Sequence, residues 1–171
     1  MAANLQIERH WAMPNKWTFK IKPIAALLKS ELTSGLWIDP FAGENSPATI
    51  TNDLNPSAPT DFHLDAIAFL KRFDACSVDG VLYDPPYSQR QVRECYDGIS
   101  GSLKWDGRMT FWSESKNEIA RIVKPGGKVI CFGWNSMGLG KSRGFSMTRV
   151  LLIPHGGSRN DTICTVEIKD D

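Results

Sequence analysis

Residues 79–87, with the sequence DGVLYDPPY, contain an apolar run that ends abruptly at Asp84. The run VLY is typical of a buried β-strand, and the two prolines after Asp84 have a fixed φ and no backbone N–H group. A strand cannot continue through them. We therefore expect a sharp turn that places the Asp84 carboxylate, the Pro85 carbonyl and the ring of Tyr87 at the carboxyl end of a strand.

Helical and β-rich segments alternate on both sides of this turn. Residues 22–32, KPIAALLKSEL, have apolar residues at helical spacing and a proline near the first turn. β-rich runs follow at LWIDPFAG and ATITNDLNP. FHLDAIAFLKRF then passes from a brief strand or turn into a helix, and KNEIARIVKPGGKVICFGWNS is predicted to form a helix, a Gly-Gly turn and a strand. This order predicts an α/β fold with an open, mostly parallel sheet that is covered on both faces.

The carboxyl-terminal part follows a different pattern. Two β-rich runs, MTRVLLIPH and TICTVEIK, are separated by the short, turn-rich link GGSRND. A link of this kind favours an antiparallel hairpin. We therefore expect a hairpin next to the parallel strands.

The connection between the first two β-rich runs is unusually short. Only about eight residues lie between Asp39 and Ala48, whereas parallel neighbours normally need a crossover of about a dozen or more. Either a loop replaces the covering helix, or the second strand begins later than Ala48.

Length and composition bound the class of protein. With 171 residues, of which 42% are hydrophobic, the chain can form one domain with its own core, and no stretch reaches transmembrane length. The amino terminus lacks the apolar run of a signal peptide. The four cysteines lack the spacing of metal ligands. We therefore expect a single cytoplasmic domain over residues 1–171, without a metal or a membrane partner and with free thiols at Cys76, Cys95, Cys131 and Cys164.

The distribution of charge is uneven although the formal net charge is only +1. Residues 119–160 contain seven basic residues and no Asp or Glu: Arg121, Lys124, Lys128, Lys141, Arg143, Arg149 and Arg159. Such a bias is compatible with a local surface that faces phosphates. Dispersed, solvated charges would explain it equally well.

An acidic residue stands at each of four predicted strand ends. These residues are Asp39, Asp53, Asp65 and Asp84. Any one of them could simply cap the backbone of a turn. Ligands of open α/β sheets bind at the carboxyl ends of the strands, so four acids in corresponding positions indicate a site.

The first turn, DPFAG, suggests the kind of ligand. Ala42 and Gly43 would let a ligand approach the backbone closely, and an acid after the second strand is well placed for ribose hydroxyls. The chain has neither a GxGxxG fingerprint nor a complete phosphate loop, because the GKS of residues 140–142 lacks the glycine that GxxxxGKS requires five residues before Gly140. A nucleoside cofactor without a pyrophosphate therefore fits better than NAD or ATP.

The succession DPFAG, NDLNP, LDA, DPPY and VKPGGKVICFGW, with the terminal hairpin, resembles the S-adenosylmethionine-dependent nucleic-acid amino-methyltransferases. The similarity is greatest to the adenine-specific DNA methyltransferases of the small phage and mobile-element type, from about residue 16 onward. It implies a Rossmann-like class I methyltransferase sheet, S-adenosyl-L-methionine as cofactor and DNA as partner, with RNA possible. No segment remains for a separate target-recognition domain, so specificity would come from short loops, a homodimer or a partner subunit.

The resemblance also implies roles for individual residues. Phe41, Ala42 and Gly43 would line the methionine part of the cofactor, and Asp39 and Pro40 of the same turn would also belong to the cofactor site. Asp53 would accept hydrogen bonds from the ribose, and Asp65 would reach the adenine amine. Thr18 and Phe19, in NKWTFKIKP, would be weaker contacts. The family's glycine-rich turn leads into a helix, whereas ENSP follows Gly43 here, so the carboxylate end of the cofactor lacks its expected partner.

The chemistry expected of the DPPY turn follows from its acceptors. The exocyclic amine of a base is a poor nucleophile because its lone pair is delocalised into the ring. The Asp84 carboxylate and the Pro85 carbonyl can each accept one N–H bond and so localise the lone pair, while Pro86 stiffens the turn. Tyr87 offers a ring for stacking of an extruded base. No metal or covalent nucleophile is required.

Residues that would bind the nucleic acid are expected in the loops near this turn. Ser88, Gln89 and Arg90 directly follow Tyr87. Two longer loops, ISGSLKWDGRMTFWS and GWNSMGLGKSRGF, interleave basic and aromatic residues as single-strand binding sites do; they contain Trp105, Trp112, Trp134, Asn135, Lys141 and Arg143. The tryptophans could equally be packing residues.

Several functions remain open at this level. The amine could belong to adenine in DNA, to a base in ribosomal-type RNA, or to cytosine. Alternatively, the abbreviated first turn could have lost the cofactor, leaving a nucleic-acid-binding, methyltransferase-like subunit. The sequence leaves the target sequence, the oligomeric state and any associated restriction enzyme undetermined.

Overall fold

The computed structural model describes residues 4–32, 34–99 and 109–171. In this part of the chain seven strands form one sheet in the order β1-β6-β7-β5-β4-β2-β3. The strands are β1 (Gln6–Arg9), β2 (Trp37–Asp39), β3 (Ile50–Thr51), β4 (Val78–Tyr83), β5 (Val123–Gly133), β6 (Phe145–Ile153) and β7 (Thr162–Lys169).

The sheet is mostly parallel, with an antiparallel pair at the carboxyl terminus. Strands β3, β2, β4 and β5 are parallel neighbours, whereas β7 runs antiparallel to both β5 and β6. The predicted fold class is therefore confirmed. Strand β1, which the sequence pattern did not indicate, pairs parallel with β6 at the far edge.

Four α-helices cover the sheet in the described residues: α1 (Lys22–Glu31), α2 (Ala66–Leu70), α3 (Gln89–Asp97) and α4 (Phe111–Ile122). Short 3-10 helices span Thr18–Lys20 and Lys141–Arg143. Helix α1 is the helix that the apolar spacing predicted, and Pro23 lies in its first turn. None of the described helices has both the length and the apolar character needed to cross a bilayer.

The core has two layers, one on each face of the sheet. Successive side chains of a strand point to opposite faces. On β4, Val81 and Tyr83 pack with the residues of α2 and α4, whereas Leu82 packs with those of α1. Because β4 is buried on both faces, the apolar run that precedes Asp84 is continuous rather than alternating.

Two boundaries differ from the sequence-based expectation. The connection from β2 to β3 is a loop, and β3 is only two residues long and begins at Ile50. Both explanations of the short crossover therefore hold: a loop replaces the covering helix, and the second strand begins later than Ala48. Helix α4 begins at Phe111, and β5 already begins at Val123, so the predicted Gly-Gly turn is an irregularity within β5.

Candidate active site

A cavity of about 710 Å³ lies at the carboxyl ends of β2, β3 and β4. Its wall includes Pro40 after β2, Asp53 after β3, and the turn of Asp84 to Tyr87 after β4. The sequence predicted a site at this edge of the sheet. The Asp84 carboxylate, on which that prediction depends, lies in the cavity wall.

Asp84 is surrounded mainly by protein, and burial raises the pKa of its carboxyl above the ordinary value. Two neighbours oppose this effect by favouring the ionised form. The Tyr87 hydroxyl donates a hydrogen bond to Oδ1 of Asp84 at 2.5 Å. The hydroxyl of Thr18, which also lines the cavity, acts in the same direction. The carboxylate is thus desolvated and held by hydroxyl groups.

The backbone of the turn is fixed by two side chains. The Trp112 ring nitrogen donates to the Pro86 carbonyl at 2.9 Å, and the Tyr87 backbone N–H donates to Oε1 of Gln91 at 2.6 Å. Among the described residues, no group donates to the Pro85 carbonyl. The backbone that directly follows Pro85 is therefore held in place, while the Pro85 carbonyl keeps its capacity to accept a hydrogen bond.

Asp39, the last residue of β2, is completely buried. Burial, more than any other cause, raises the pKa of its carboxyl to about 7. The Phe41 backbone N–H and the Ser46 hydroxyl donate to it at 2.9 and 2.6 Å. Asp39 does not line the cavity and instead holds the loop that replaces a covering helix; within its turn, Pro40 and Phe41 reach the cavity and Ala42 and Gly43 do not.

Asp53 lies in the cavity wall and connects two loops. Its Oδ2 accepts the Gly43 N–H at 2.9 Å, and its Oδ1 accepts the Asn55 N–H at 2.8 Å. Gly43 has φ +55°, a conformation that favours glycine. Each oxygen keeps a second lone pair for a ligand.

Asn52 was missed at the sequence level. It is fully buried, and its side-chain amide donates to the carbonyls of Pro40 and Leu64 at 3.1 and 3.0 Å, while its Oδ1 accepts the Leu64 N–H at 2.9 Å. Asn52 therefore connects the ends of β2 and β3 with the segment that precedes α2. Its position between Thr51 and Asp53, one residue after β3, is the only signal that could have identified it.

Two further predicted cofactor residues, Asp65 and Phe19, do not line the cavity. Asp65 caps α2, because its Oδ1 accepts the N–H groups of Ile67 and Ala68, and its Oδ2 accepts the hydroxyl of Tyr96. Phe19 packs against Phe132, with ring centroids 5.2 Å apart. These contacts are the helix cap and the core contact that the residue types alone would suggest.

Helix α3 contributes much of the cavity wall, although the sequence pattern did not predict the helix. Gln91, Val92, Glu94, Cys95 and Tyr96 all line the cavity. The sequence feature that could have predicted the helix is the spacing of Val92 and Tyr96. These two residues are four apart and buried on one side of an otherwise polar helix. Ser88 is the N-cap of this helix, and its hydroxyl oxygen accepts a hydrogen bond from the Gln91 N–H at 3.3 Å.

A second cavity, of about 390 Å³, lies on the other side of the same turn. Pro85, Pro86 and Tyr87 line both cavities. Trp134 and Asn135, which follow β5, line the second one, and the Trp134 ring stands edge-on to Tyr87 with centroids 5.3 Å apart. The DPPY turn is thus a partition between two cavities.

A buried acid holds the loop that carries Trp134 through two backbone hydrogen bonds. Glu167 of β7 accepts the N–H groups of Leu139 and Gly140 at 2.6 and 3.0 Å. Gly138 has φ +55°, and a Cβ there would lie only 2.2 Å from a Glu167 oxygen. This position therefore requires glycine.

Of the other predicted substrate residues, Trp112 lines the second cavity, whereas Ser88, Gln89, Arg90, Lys141 and Arg143 line neither cavity. Arg90 is exposed and pairs with Glu94 at 2.8 Å. The Arg143 side chain donates to Asn117, Ser113 and the Leu139 carbonyl, and Lys141 is exposed in the second 3-10 helix. Trp112 belongs to α4 rather than to a loop. Gln89 begins α3, and Trp105 lies outside the described residues.

In the basic stretch of residues 119–160, most of the charges are paired in the structure, which favours the interpretation of dispersed charges over that of a phosphate-facing surface. Most of its charges have carboxylate partners elsewhere in the fold: Arg121 with Glu118, Lys124 with Asp79, Lys128 with Glu31, and Arg149 with Glu8 and Glu31. All four cysteines are free thiols. No group of three or more potential metal ligands occurs in the part of the chain that the structure describes.

Comparisons with known proteins bear on the fold. No family model and no curated protein matches the sequence, but solved structures match the fold. TrmN from Thermus thermophilus superposes with a TM-score of 0.57 at 18% identity, over 87% of this chain and 49% of TrmN, so the chain spans about half of that protein.

Two further structures extend the similarity. The 1,6-didemethyltoxoflavin-N1-methyltransferase of Burkholderia thailandensis, solved with its substrate and S-adenosylhomocysteine, gives a TM-score of 0.57 at 13% identity over 88% of this chain and 78% of that one. YhhF of Escherichia coli, which is named as a methyltransferase, gives 0.53 at 12% identity over 88% and 84%. The chain therefore has the Rossmann-like fold of methyltransferases.

Proposed function

We propose that this protein transfers a methyl group from S-adenosyl-L-methionine to the exocyclic amine of adenine in DNA. One observation carries the proposal: the turn of Asp84 to Tyr87 separates two cavities at the carboxyl edge of the sheet. Transfer between a cofactor and a base needs two compartments that meet at the reacting atoms. Of the two hydrogen-bond acceptors for an amine, Pro85 lines both cavities and Asp84 lines the larger one.

The larger cavity suits the cofactor in size and lining. Its volume of about 710 Å³ is within the range of small-molecule sites. Asp53 offers carboxylate oxygens for ribose hydroxyls, and Phe41, Leu54 and Leu64 provide apolar contacts. Bound there, the cofactor would supply an electrophilic methyl group. The solved complex of the Burkholderia methyltransferase with S-adenosylhomocysteine supports a cofactor of this kind for the shared fold.

The smaller cavity suits a flipped base. Tyr87 and Trp134 are two aromatic rings in its wall, and Asn135 offers hydrogen-bonding groups. Base-aromatic stacking contributes about 1–3 kcal/mol, which offsets part of the cost of taking a base out of the helix. A base stacked at Tyr87 would bring its amine to the edge of the DPPY turn.

Asp84 and Pro85 then act directly on the amine. Ionised Asp84 accepts one N–H bond and the Pro85 carbonyl accepts the other, which directs the nitrogen lone pair toward the larger cavity. Trp112 and Gln91 keep the Pro85 carbonyl in place through the neighbouring backbone groups. As the C–N bond forms, the S–CH₃ bond of the cofactor would break and leave a neutral thioether, and the nitrogen would lose a proton, for which the Asp84 carboxylate is an acceptor on this turn. Positioning supplies most of the rate enhancement in such a site.

The test is the transfer of a radiolabelled methyl group from S-adenosylmethionine to unmethylated DNA and to RNA, followed by nucleoside analysis. We expect label in N6-methyl-2′-deoxyadenosine from DNA, and a loss of about 100-fold or more in Asp84→Asn because an amide cannot accept the proton. Asp74→Asn, a substitution of an exposed acid that precedes β4, is the matched control. Label in RNA or in cytosine would contradict the substrate, and undiminished transfer by Asp84→Asn would contradict the mechanism.

A further inference from the structure

The largest group of unpaired basic side chains lies at the amino terminus rather than in the stretch of residues 119–160. Residues 9–30 contain five basic residues and no Asp or Glu: Arg9, Lys16, Lys20, Lys22 and Lys29. All five are exposed. No described carboxylate forms an ion pair with them, in contrast to Arg121, Lys124, Lys128 and Arg149.

Two of these lysines lie against one aromatic ring. The ammonium groups of Lys16 and Lys20 are 4.1 and 4.7 Å from the centroid of the Trp17 ring. The ring attracts each cation, but it also brings two like charges close together. An anionic group bound near Trp17 would offset this repulsion.

This cluster adjoins the candidate active site. Within the 3-10 helix Thr18–Lys20, Thr18 lines the cavity that contains Asp84, and Lys20 lines a neighbouring groove of about 780 Å³. The short helix is therefore a ridge between the two spaces. A chain of phosphates that crosses this ridge would pass beside the proposed site of methyl transfer.

The groove combines positive charge with an exposed ring. Lys20, Lys22 and Arg149 line it, and Trp11 lies at its rim with 61% of its surface exposed. Basic groups that follow a groove together with aromatic rings are the features that single-stranded nucleic acids bind, through phosphates and stacked bases. Glu8 also lines the groove and pairs with Arg149, so its unpaired charges are those of Lys20 and Lys22. A protein partner would account for the exposed ring but not for these unpaired lysines.

We propose that Lys16, Lys20 and Lys22, with Trp11 and Trp17, form the surface that binds the DNA strand next to the target nucleotide. The phosphates lie at the lysines that flank Trp17, and an unpaired base stacks on Trp11. The choice of DNA as the ligand of this surface rests on the proposed function. It supplies the nucleic-acid contacts that Arg90, Arg143 and Lys141 were expected to provide.

The test is the salt dependence of binding to a short, labelled single-stranded oligodeoxynucleotide, followed by fluorescence anisotropy. For single strands each phosphate contact contributes about −0.7 to the slope of log K against log salt. We expect Lys16→Gln/Lys20→Gln to make the slope shallower by about 1.4 and to weaken binding about tenfold or more at about 0.1 M salt. Trp11→Ala should weaken binding several-fold with the slope unchanged, because stacking releases no counterions.

Lys71→Gln/Arg72→Gln is the matched control. Both residues are exposed, Arg72 also lies over an aromatic ring at 5.0 Å, and they follow α2 away from both cavities. Equal slopes for the two double variants would overturn the proposal, as would tighter binding to RNA of the same sequence. Circular dichroism checks that each variant is folded. If the slope changes as expected but the wild-type protein transfers no methyl group, the surface stands and the proposed chemistry fails.

Discussion

At the scale of single residues, the DPPY turn was the most predictable part of the site. Two prolines after a buried strand permit few conformations, so the positions of Asp84, Pro85 and Tyr87 followed from the sequence. Their supports did not, because Trp112 is 26 residues away from Pro86 and reaches it only through tertiary packing. Asp65 and Phe19 were assigned to the cofactor by the family resemblance. In the structure Asp65 caps α2 and Phe19 packs against Phe132.

The hydrogen bond from Tyr87 to Asp84 predicts a pH effect. The pKa of Asp84 is raised by burial, and the Tyr87 hydroxyl lowers it by favouring the ionised form. Because Asp84 must be ionised to accept an amine proton, activity should fall as pH decreases through its pKa. Tyr87→Phe removes the hydroxyl and keeps the ring, so the acid limb of the pH profile of kcat/KM should move to higher pH.

Tyr96→Phe is the control for this prediction, since it removes a hydroxyl that donates to Asp65 instead. Its acid limb should coincide with that of the wild-type protein, whatever happens to KM. Identical acid limbs for Tyr87→Phe and wild type would show that the Tyr87 hydroxyl does not set the ionisation of Asp84.

At the scale of secondary structure elements, strong periodicity was predictable and weak periodicity was not. The apolar spacing in α1 and the two β-rich runs of the terminal hairpin produced the elements expected of them. Helix α3 has only Val92 and Tyr96 on its buried side, and β1 is four residues long and mostly exposed. Such segments are defined by the surfaces onto which they pack, which a local pattern does not contain.

The loop between β2 and β3 predicts an unusual dependence of stability on pH. Asp39 has a pKa of about 7 in the folded protein, against 3.8 for an ordinary Asp. Between these values the unfolded chain loses its proton while the folded protein keeps it, so stability falls as pH rises from about 4 to about 7. The contribution is at most about 4 kcal/mol.

Asp39→Asn should abolish this contribution. The free energy of unfolding of the variant, relative to the wild-type protein, should therefore increase with pH across that window, as measured by urea denaturation. Asp61→Asn gives the opposite sign, because its hydrogen bonds with Thr51 lower the pKa of Asp61, and the lost stability is greatest at neutral pH. A pH-independent difference between Asp39→Asn and wild type would rule out a raised pKa at Asp39.

At the scale of the whole molecule, the sheet brings three loops to one edge and the DPPY turn divides the space there. Strand order determines this result: β4, which carries the turn, lies between β2 and β5. Pro40, Phe41 and Asp53 of the larger cavity therefore follow β2 and β3 on one side, and Trp134 follows β5 on the other. The sequence predicted that the site lies at the carboxyl ends of the strands. It did not predict the division into two cavities, because that depends on how the loops pack against one another.

The crystal structure of the protein with S-adenosylhomocysteine tests the central claim most directly. We predict that the ligand occupies the cavity of about 710 Å³, with its ribose hydroxyls at Asp53 and its sulfur facing Asp84 and Pro85. The smaller cavity should remain open beside Tyr87 and Trp134. A ligand bound elsewhere, or one whose sulfur points away from Asp84, would contradict the account.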